Sequence, residues 1–142
     1  MSKLGHHSLV VWQRADDLFI KLHRLAIDSF PARERFELSA QLRRAAYSVV
    51  ANIVEGQARR YKRARLHFLN ISEGSLAEAG YCVHAAWRLG YINDEMKAEL
   101  DADFNRVGAP LAGLIRSTRS LPATIGNVAW FGVMAVLSVL MS

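Results

Sequence analysis

The residues of this sequence best suited to chemistry form a cluster of cations in the second quarter of the chain. Five basic side chains fall within seven positions: Arg59, Arg60, Lys62, Arg63 and Arg65. Like charges repel one another at this density, so the cluster is unfavourable on grounds of stability alone. Such cations neutralise phosphates and release counterions, and arginine adds bidentate hydrogen bonds and stacking. The cluster therefore predicts contact with a nucleic acid, and the alternative is a solvated loop, which runs of charge usually form.

The distribution of charge along the chain favours the same interpretation. The chain carries 18 basic and 13 acidic residues, and residues 36–66 alone hold seven of the basic and two of the acidic ones. Positive charge concentrated in one segment favours a polyanionic partner over a merely soluble surface. Arg43 and Arg44, in the same segment, are secondary candidates for phosphate contact. Tyr61, inside the cluster, could stack on an unpaired base.

A stripe of polar side chains runs through the segment before the cluster, within about 80° of one another on a helix of 100° per residue. Ser48 and Asn52 are expected to bond to Ser75 or Glu78 of the next helix, because partly buried polar groups need partners. Glu55 is expected to form an ion pair with the arginine one turn later. This stripe is interpreted as a structural network that sets helix register. The predicted members of this network, on the stripe and on the next helix, are Gln41, Ser48, Asn52, Glu55, Ser75 and Glu78.

Residues that would indicate an enzyme are sparse. The sequence has no glycine-rich phosphate loop and no nucleophile elbow. Its five histidines lack metal-ligand spacing, and no Glu-x-x-His pair of the kind found in helical di-iron sites is present. Arg60 and His67 are separated by six residues, which resembles the Arg-x(4–6)-His motif of HEPN ribonucleases. We predict no catalytic residue, no metal and no cofactor, and RNA cleavage at Arg60 and His67 remains the third hypothesis.

Helical periodicity predicts the elements that position these residues. Apolar side chains recur at intervals of three and four in four segments joined by short connections. The first helix ends before Pro31, because the residue before a proline avoids the helical region. Ser39 is the predicted N-cap of the second helix, Gly90 the C′ residue of the third and Asn93 the N-cap of the fourth. Pro110 predicts either a kink or a restart of the fourth helix. The predicted fold is all-α, an antiparallel up-and-down four-helix bundle.

The chain is divided by composition into three parts. Residues 1–8 are predicted to be a flexible N-terminus, residues 9–119 the bundle, and residues 120–142 a charge-free hydrophobic tail. The tail could contact a membrane through residues 121–141, but its uninterrupted apolar part, residues 128–141, is shorter than the roughly 20 residues that span a bilayer. A tail anchor, a fifth packed helix and a non-native extension are the three alternatives, and the last is favoured. A single cysteine and the absence of a signal peptide predict a cytoplasmic protein.

The second helix carries more apolar surface than one core face requires. Tyr47, Val50 and Val54 lie opposite the polar stripe and would be exposed in an isolated bundle. A second buried surface, most simply a subunit interface, would account for them. The protein is therefore predicted to be a homo-oligomer.

A pattern spread over all four predicted helices matches a known family. The matching positions are Val11-Trp12-Gln13, Phe30-Pro31, Gln41-Leu42-Arg43-Arg44-Ala45, Ser48, Asn52-Ile53, Glu55-Gly56, Phe68-Leu69, Gly74-Ser75, Glu78 and Leu89-Gly90-Tyr91. Over residues 9–119 the chain resembles the four-helix bundle family of 23S rRNA intervening-sequence proteins, whose relatives include the accessory variability determinants of diversity-generating retroelements. The resemblance implies a ring-like homopentamer with a basic surface, and for the accessory determinants it implies binding to nucleic acid and to a reverse transcriptase without catalysis. The chain departs from the family pattern at Pro110 and after Arg119.

These observations lead to a ranked set of functions. The first is a non-enzymatic, oligomeric protein that binds RNA or DNA phosphates through the basic cluster. The second is an oligomeric scaffold for a protein partner such as a reverse transcriptase. The third is the ribonuclease described above.

Overall fold

The computed structural model describes residues 3–124, with side chains from Ser8 onward. Its elements, in chain order, are α1 (Lys3–Asp28), a 3-10 helix (Ala32–Glu34), α2 (Leu38–Gln57), α3 (Lys62–Arg88) and α4 (Asp94–Arg119). Contacts join α1 to α2, α2 to α3, α3 to α4 and α4 back to α1. The all-α four-helix bundle is thereby confirmed.

Side-chain contacts between neighbouring helices show the antiparallel register. Between α1 and α4, Arg14 reaches Arg106, whereas Lys21 reaches Glu99, so residue numbers fall in α4 as they rise in α1. Between α2 and α3 the contacts run in the same sense, from Gln41 with Glu78 to Val49 with Ser72. The other two pairs do the same, since Phe19 and Ala26 of α1 meet Tyr47 and Ser39 of α2, and Leu76 and Gly80 of α3 lie near Gly108 and Phe104 of α4. Each helix therefore runs opposite to its two neighbours, and α2 and α4 end at the same end of the bundle.

The core consists of the apolar residues that recur at helical spacing. The α1 residues Val11, Ala15, Leu18, Leu22 and Leu25 are all buried, as the periodicity predicted. They meet Leu42 and Ile53 of α2, Leu69 of α3, and Leu100 and Leu111 of α4 in one hydrophobic cluster. Burial of each large aliphatic side chain contributes about 1.5–3 kcal/mol to the free energy of folding. This core holds the four helix ends, and the side chains on them, in fixed positions.

Most of the predicted helix ends are confirmed, and one is wrong. Gly90 has a φ of 79°, the left-handed conformation expected of the C′ residue after α3. Asn93 caps α4, with its side chain accepting a 2.8 Å hydrogen bond from the Met96 N–H. Ser39 is not the N-cap of α2, which begins at Leu38; its hydroxyl instead donates to the carbonyl of Ala26 in α1 at 2.8 Å. A buried hydroxyl that faces another helix can form its hydrogen bond with that helix instead of capping its own.

Pro110 does not interrupt α4, which continues from Asp94 to Arg119. The restart proposed from the sequence is therefore wrong. Proline has no N–H, so the carbonyl of Arg106, four residues earlier, lacks its usual donor. The Arg14 Nη1 of α1 donates to that oxygen at 3.1 Å. A tertiary contact thus replaces the helical hydrogen bond that the proline removes.

The two ends of the chain differ in what can be described. Residues 1–8 were expected to be flexible, and this stays a prediction; within them, α1 begins at Lys3 and Ser8 is buried. Residues 125–142, most of the predicted hydrophobic tail, lie outside the described residues, so the three alternatives for the tail stay predictions. Among the helices within residues 3–124, none combines the length and the apolar character that a membrane span requires.

Candidate nucleic-acid interface

One end of the bundle gathers cations from two distant parts of the sequence. We call it the basic end and define it as residues 54–66, where α2 passes into α3, together with residues 112–124, where α4 finishes. The backbone N–H of Lys62 donates to the carbonyl of Ala123 at 2.9 Å, its Nζ donates to the carbonyl of Arg119 at 3.1 Å, and Tyr61 forms an antiparallel bridge with Thr124. These contacts join the two segments, which together hold seven basic residues and one acidic residue.

Arg116 and Arg119 belong to this surface, and the sequence analysis did not include them. Both are exposed in the last turn of α4. Cations in the last turn of a helix interact favourably with the helix dipole, typically by about 0.3–1 kcal/mol, which is a structural reason for their presence. The signal that could have found them is topological. In an antiparallel bundle the ends of the second and fourth helices must lie together.

Four guanidinium groups of the basic end have no hydrogen bond or ion pair with any other residue that the structure describes. They are those of Arg60, Arg63, Arg116 and Arg119, all of them exposed. The only acidic side chain within the two segments, Glu55, already pairs with another arginine. Among the described residues, none therefore competes with an anion for these four cations.

Arg59 is partly engaged within the protein. Its Nη2 lies 2.7 Å from the Glu55 carboxylate, and its guanidinium stands 4.9 Å from the centroid of the Phe68 ring. Because both members of the ion pair are about half exposed, the pair contributes little to stability. Arg59 can therefore exchange Glu55 for a phosphate at small cost. Lys62 is half-buried and holds the Arg119 carbonyl, so its first role is to join α3 to α4.

Arg65 was predicted to contact nucleic acid, and this prediction is wrong because its side chain is only 1% exposed. Its guanidinium donates to the Gln57 side-chain oxygen at 3.3 Å, to the Gln57 carbonyl at 3.4 Å and to the Arg59 carbonyl at 3.0 Å. The last carbonyls of a helix have no partner within the helix. Arg65 supplies one for the end of α2 and thereby holds the connection that carries the exposed cations.

The burial of Arg65 has electrostatic consequences. It lowers the pKa of the guanidinium from its ordinary value, because the charged form loses its hydration. Its Nε and the Nε2 of Gln57 have no hydrogen-bond partner among the described residues. The charge is stabilised by carbonyl dipoles rather than by a carboxylate, so Arg65 positions the site without being accessible to a ligand.

Gly56 allows this close approach of α2 and α3. A Cβ atom at this position would lie 3.2 Å from the carbonyl oxygen of Arg65 and 3.3 Å from the Cβ of Phe68. Both distances are shorter than ordinary van der Waals contact. The glycine that the sequence analysis included in the family pattern is thus required by packing beneath the basic end.

The secondary candidates Arg43 and Arg44 lie far from the basic end. They occupy the first turns of α2, and the 15 residues from Arg44 to Arg59 correspond to about 22 Å along the helix. Arg43 is half-buried and donates to the carbonyls of Ser39 and Arg35, whereas Arg44 is exposed and donates to Gln41 Oε1 at 2.8 Å. The structure does not bring these two arginines together with the main cluster.

The predicted polar network lies between α2 and α3, and we call it the polar seam. The hydroxyls of Ser48 and Ser75 are 2.7 Å apart, so the predicted contact between these residues is present, and Gln41 donates to Glu78 across the same pair of helices. Asn52 does not cross to α3; its amide donates to the carbonyl and hydroxyl of Ser48, within its own helix. A further contact, missed in the sequence, runs from the buried Ser72 hydroxyl to the carbonyl of Val49. These small hydroxyl-bearing residues join the two helices at close range.

The ribonuclease hypothesis concerns Arg60 and His67, both of which are exposed. His67 is exposed, and its ring packs edge-on against Phe68 with 5.2 Å between centroids. No hydrogen bond links His67 to Arg60 among the described contacts. Within residues 3–124 no group of three or more histidine, cysteine, aspartate or glutamate side chains could hold a metal ion.

An apolar groove lies between α1 and α2, where the sequence predicted excess apolar surface. It encloses about 460 Å³ and is lined by Phe19, Tyr47, Val50 and Val54, with Asp16 and Glu55 among the residues at its margin. Tyr47 is 62% exposed, and Val50 and Val54 are half-buried. The groove is the part of α2 that the core does not cover.

The solved structure of a relative shows the same fold. It is the crystal structure of a protein of unknown function from the S23 ribosomal protein family of Bacteroides thetaiotaomicron, at 22% sequence identity. The match covers 78% of this chain and 98% of that protein, with a TM-score of 0.72. No curated protein matches the chain.

The family itself is shown by sequence. The model that describes 23S rRNA-intervening sequence proteins matches residues 7–113. This range includes the matching positions of α2 and α3, from Gln41 to Glu78, and it ends within α4. The chain belongs to the family of 23S rRNA-intervening sequence proteins.

Proposed function

We propose that this protein binds nucleic acid through its basic end and does so without catalysis. The observation that carries the proposal is the group of four exposed arginines, two from each segment, that have no partner within the described chain. The helix dipole gives Arg116 and Arg119 a structural reason to be present, but it does not apply to Arg60 and Arg63, and the mutual repulsion of the four charges opposes folding. A phosphodiester chain would supply the missing anions and release its own counterions.

The size of the expected electrostatic effect follows from the number of phosphates contacted. Binding to four phosphates would weaken about 50- to 150-fold between 50 and 200 mM monovalent salt, depending on whether the nucleic acid is single- or double-stranded. Contacts made by cations alone carry no base specificity. The protein is therefore expected to bind many sequences with similar affinity.

The test compares two variants that lose the same charge at opposite ends of the bundle. Arg60, Arg63, Arg116 and Arg119 are replaced together by glutamine in the first. The control carries the same change at four exposed arginines toward the other end, Arg24, Arg33, Arg35 and Arg88. Fluorescence anisotropy with a labelled 20-nucleotide RNA, measured over a salt series, gives the affinity and the salt dependence of each variant.

The first variant should lose about one unit of the salt slope for each phosphate contact removed. The control should keep most of the affinity and nearly the whole slope. Equal losses in the two variants would mean that net charge alone drives binding, and would overturn the assignment to the basic end. Absence of binding by the parent protein at low salt would overturn the proposed function.

A second candidate, a scaffold that assembles with itself and with a protein partner, is supported by the apolar groove between α1 and α2. An exposed tyrosine beside half-buried valines is typical of a protein interface, because tyrosine contributes large contact area. We propose that the groove is covered in a homo-oligomer, for which the family resemblance implies a homopentamer. A reverse transcriptase is the partner that the related retroelement proteins suggest.

A further inference from the structure

Tyr61 stands at the centre of the basic end, and its side chain has no packing or hydrogen-bonding role that the described chain shows. Its side chain is 61% exposed, and neither its ring nor its hydroxyl contacts another aromatic ring, cation or hydrogen-bonding group that the structure describes. Arg60 and Lys62 flank it directly, and Arg63 follows one residue later. Single exposed aromatic residues are common on protein surfaces. What distinguishes Tyr61 is the combination of this charged setting with a fixed backbone.

The backbone around Tyr61 is fixed on both sides. Tyr61 has an extended conformation, with φ −102° and ψ 134°, and pairs with Thr124 in an antiparallel bridge. Its carbonyl accepts from the N–H of Arg65 at 3.0 Å, and the next N–H, that of Lys62, donates to Ala123. The ring therefore projects from a backbone that is already ordered. Binding to it costs little conformational entropy, which is the advantage of a preorganised contact.

An exposed aromatic ring among free cations fits one kind of nucleic acid. Every base presents a flat face that can stack on an aromatic ring, and proteins that bind single strands combine such rings with a cationic surface. In a duplex the base faces are covered by neighbouring bases, so only phosphates would reach this surface. Both RNA and DNA single strands offer the unpaired base and the phosphates.

We infer that the basic end takes a single-stranded nucleic acid, with one unpaired base stacked on Tyr61 and the adjacent phosphates on Arg60 and Arg63. This inference rests on the proposed function and adds the class of nucleic acid to it. Stacking gives the site a preference for single strands that cations alone do not provide. It is tolerant of sequence, because all four bases have a stackable face.

The experiment uses the full chain and a 12-nucleotide probe with 2-aminopurine at its centre, because the fluorescence of this base falls when it stacks. The probe is presented as single-stranded RNA, as single-stranded DNA and as a duplex. Four proteins are compared: the parent, Tyr61→Ala, Tyr61→Phe, and the control Tyr81→Ala. Tyr81 is an exposed tyrosine in the C-terminal half of α3, far from the basic end.

Tyr61→Ala should weaken single-strand binding about 5- to 150-fold. It should abolish the fluorescence quenching, with duplex affinity and salt slope unchanged. Tyr61→Phe should restore affinity and quenching, because stacking needs the ring and not the hydroxyl, and Tyr81→Ala should behave as the parent. Circular dichroism establishes that each variant is folded. Comparison of the RNA and DNA probes shows whether the protein also distinguishes ribose from deoxyribose.

Unchanged single-strand affinity in Tyr61→Ala, or a parent that prefers the duplex, would overturn the inference. Either result would leave the proposed phosphate contacts intact, because those are tested by the four-arginine variant. A failure of the four-arginine variant to differ from its charge-matched control would instead overturn the assignment of phosphate contacts to the basic end. The two sets of variants therefore separate stacking from charge.

Discussion

The polar seam and the basic end are both rich in hydrogen-bonding side chains, and the two regions differ in what satisfies them. In the seam, Ser48 contacts Ser75 and Gln41 contacts Glu78, so polar groups of α2 find partners on α3. At the basic end, Arg60 and Arg63 have no such partner among the described residues, whereas Arg65 is buried and makes three hydrogen bonds. Satisfied polar groups contribute to the fold, and exposed unsatisfied cations remain available for a ligand. The following predictions test this distinction.

The largest effect is expected at Arg65. Replacement by alanine should lower the free energy of unfolding by about 2–4 kcal/mol, because it leaves the carbonyls of Gln57 and Arg59 without donors and removes a large buried side chain. Arg65→Met, which keeps most of the apolar volume, should lose less, and the difference measures packing. Urea denaturation followed by circular dichroism gives both values.

Arg63→Gln is the matched control for Arg65, two residues away and exposed. Its free energy of unfolding should change by less than about 0.5 kcal/mol, as for most surface substitutions. A loss of stability as large as that of Arg65→Ala would contradict the division of the cluster into structural and free cations.

The apolar groove is a second exposed surface that the described core does not cover, and it is apolar rather than charged. Tyr47→Asp should weaken self-association by about 2 kcal/mol, roughly 30-fold, since it places a carboxylate where an aromatic side chain would be buried between subunits. Multi-angle light scattering over a concentration series measures the change in mass. Tyr81→Asp is the control, because Tyr81 is equally exposed on a different helix. A parent protein that is monomeric at micromolar concentration would remove the interface.

A smaller effect is expected within the polar seam. Ser75→Ala removes the 2.7 Å hydrogen bond to Ser48 and should lower the free energy of unfolding by about 1 kcal/mol. Nucleic-acid affinity should not change, because Ser75 is buried and lies about 18 Å along α3 from Arg63. Reduced affinity without reduced stability would indicate that the seam takes part in binding.

The smallest effect is expected at His67. RNA cleavage would require this residue as a general acid or base within hydrogen-bond reach of the scissile group. His67→Ala should leave affinity nearly unchanged, and gel electrophoresis of labelled RNA should show no cleavage by either protein. A parent that cleaves RNA, with a variant that binds but does not cut, would establish the ribonuclease hypothesis instead.

Much of the fold followed from local patterns. The glycine at position 90 and the cap at Asn93 each reflect an interaction between residues close in sequence, so they could be predicted without tertiary structure. The apolar spacing of α1 could be predicted too, because the helical period alone determines which side chains share the buried face. Ser39 was assigned wrongly for the opposite reason. Its hydroxyl bonds to Ala26 in another helix, a contact that no local rule describes.

In the candidate site, too, some features could be predicted from neighbours in sequence and others depended on tertiary packing. By itself the sequence determined that five cations lie together at a helix–helix connection, since neighbours in sequence must be neighbours in space. Only the tertiary structure decided that Arg65 turns inward to cap α2 and that Arg116 and Arg119 join the surface from the end of α4. The physical reason is that the direction of a side chain depends on which face of its helix the core covers. The meeting of two distant helix ends depends on the antiparallel packing of the whole bundle.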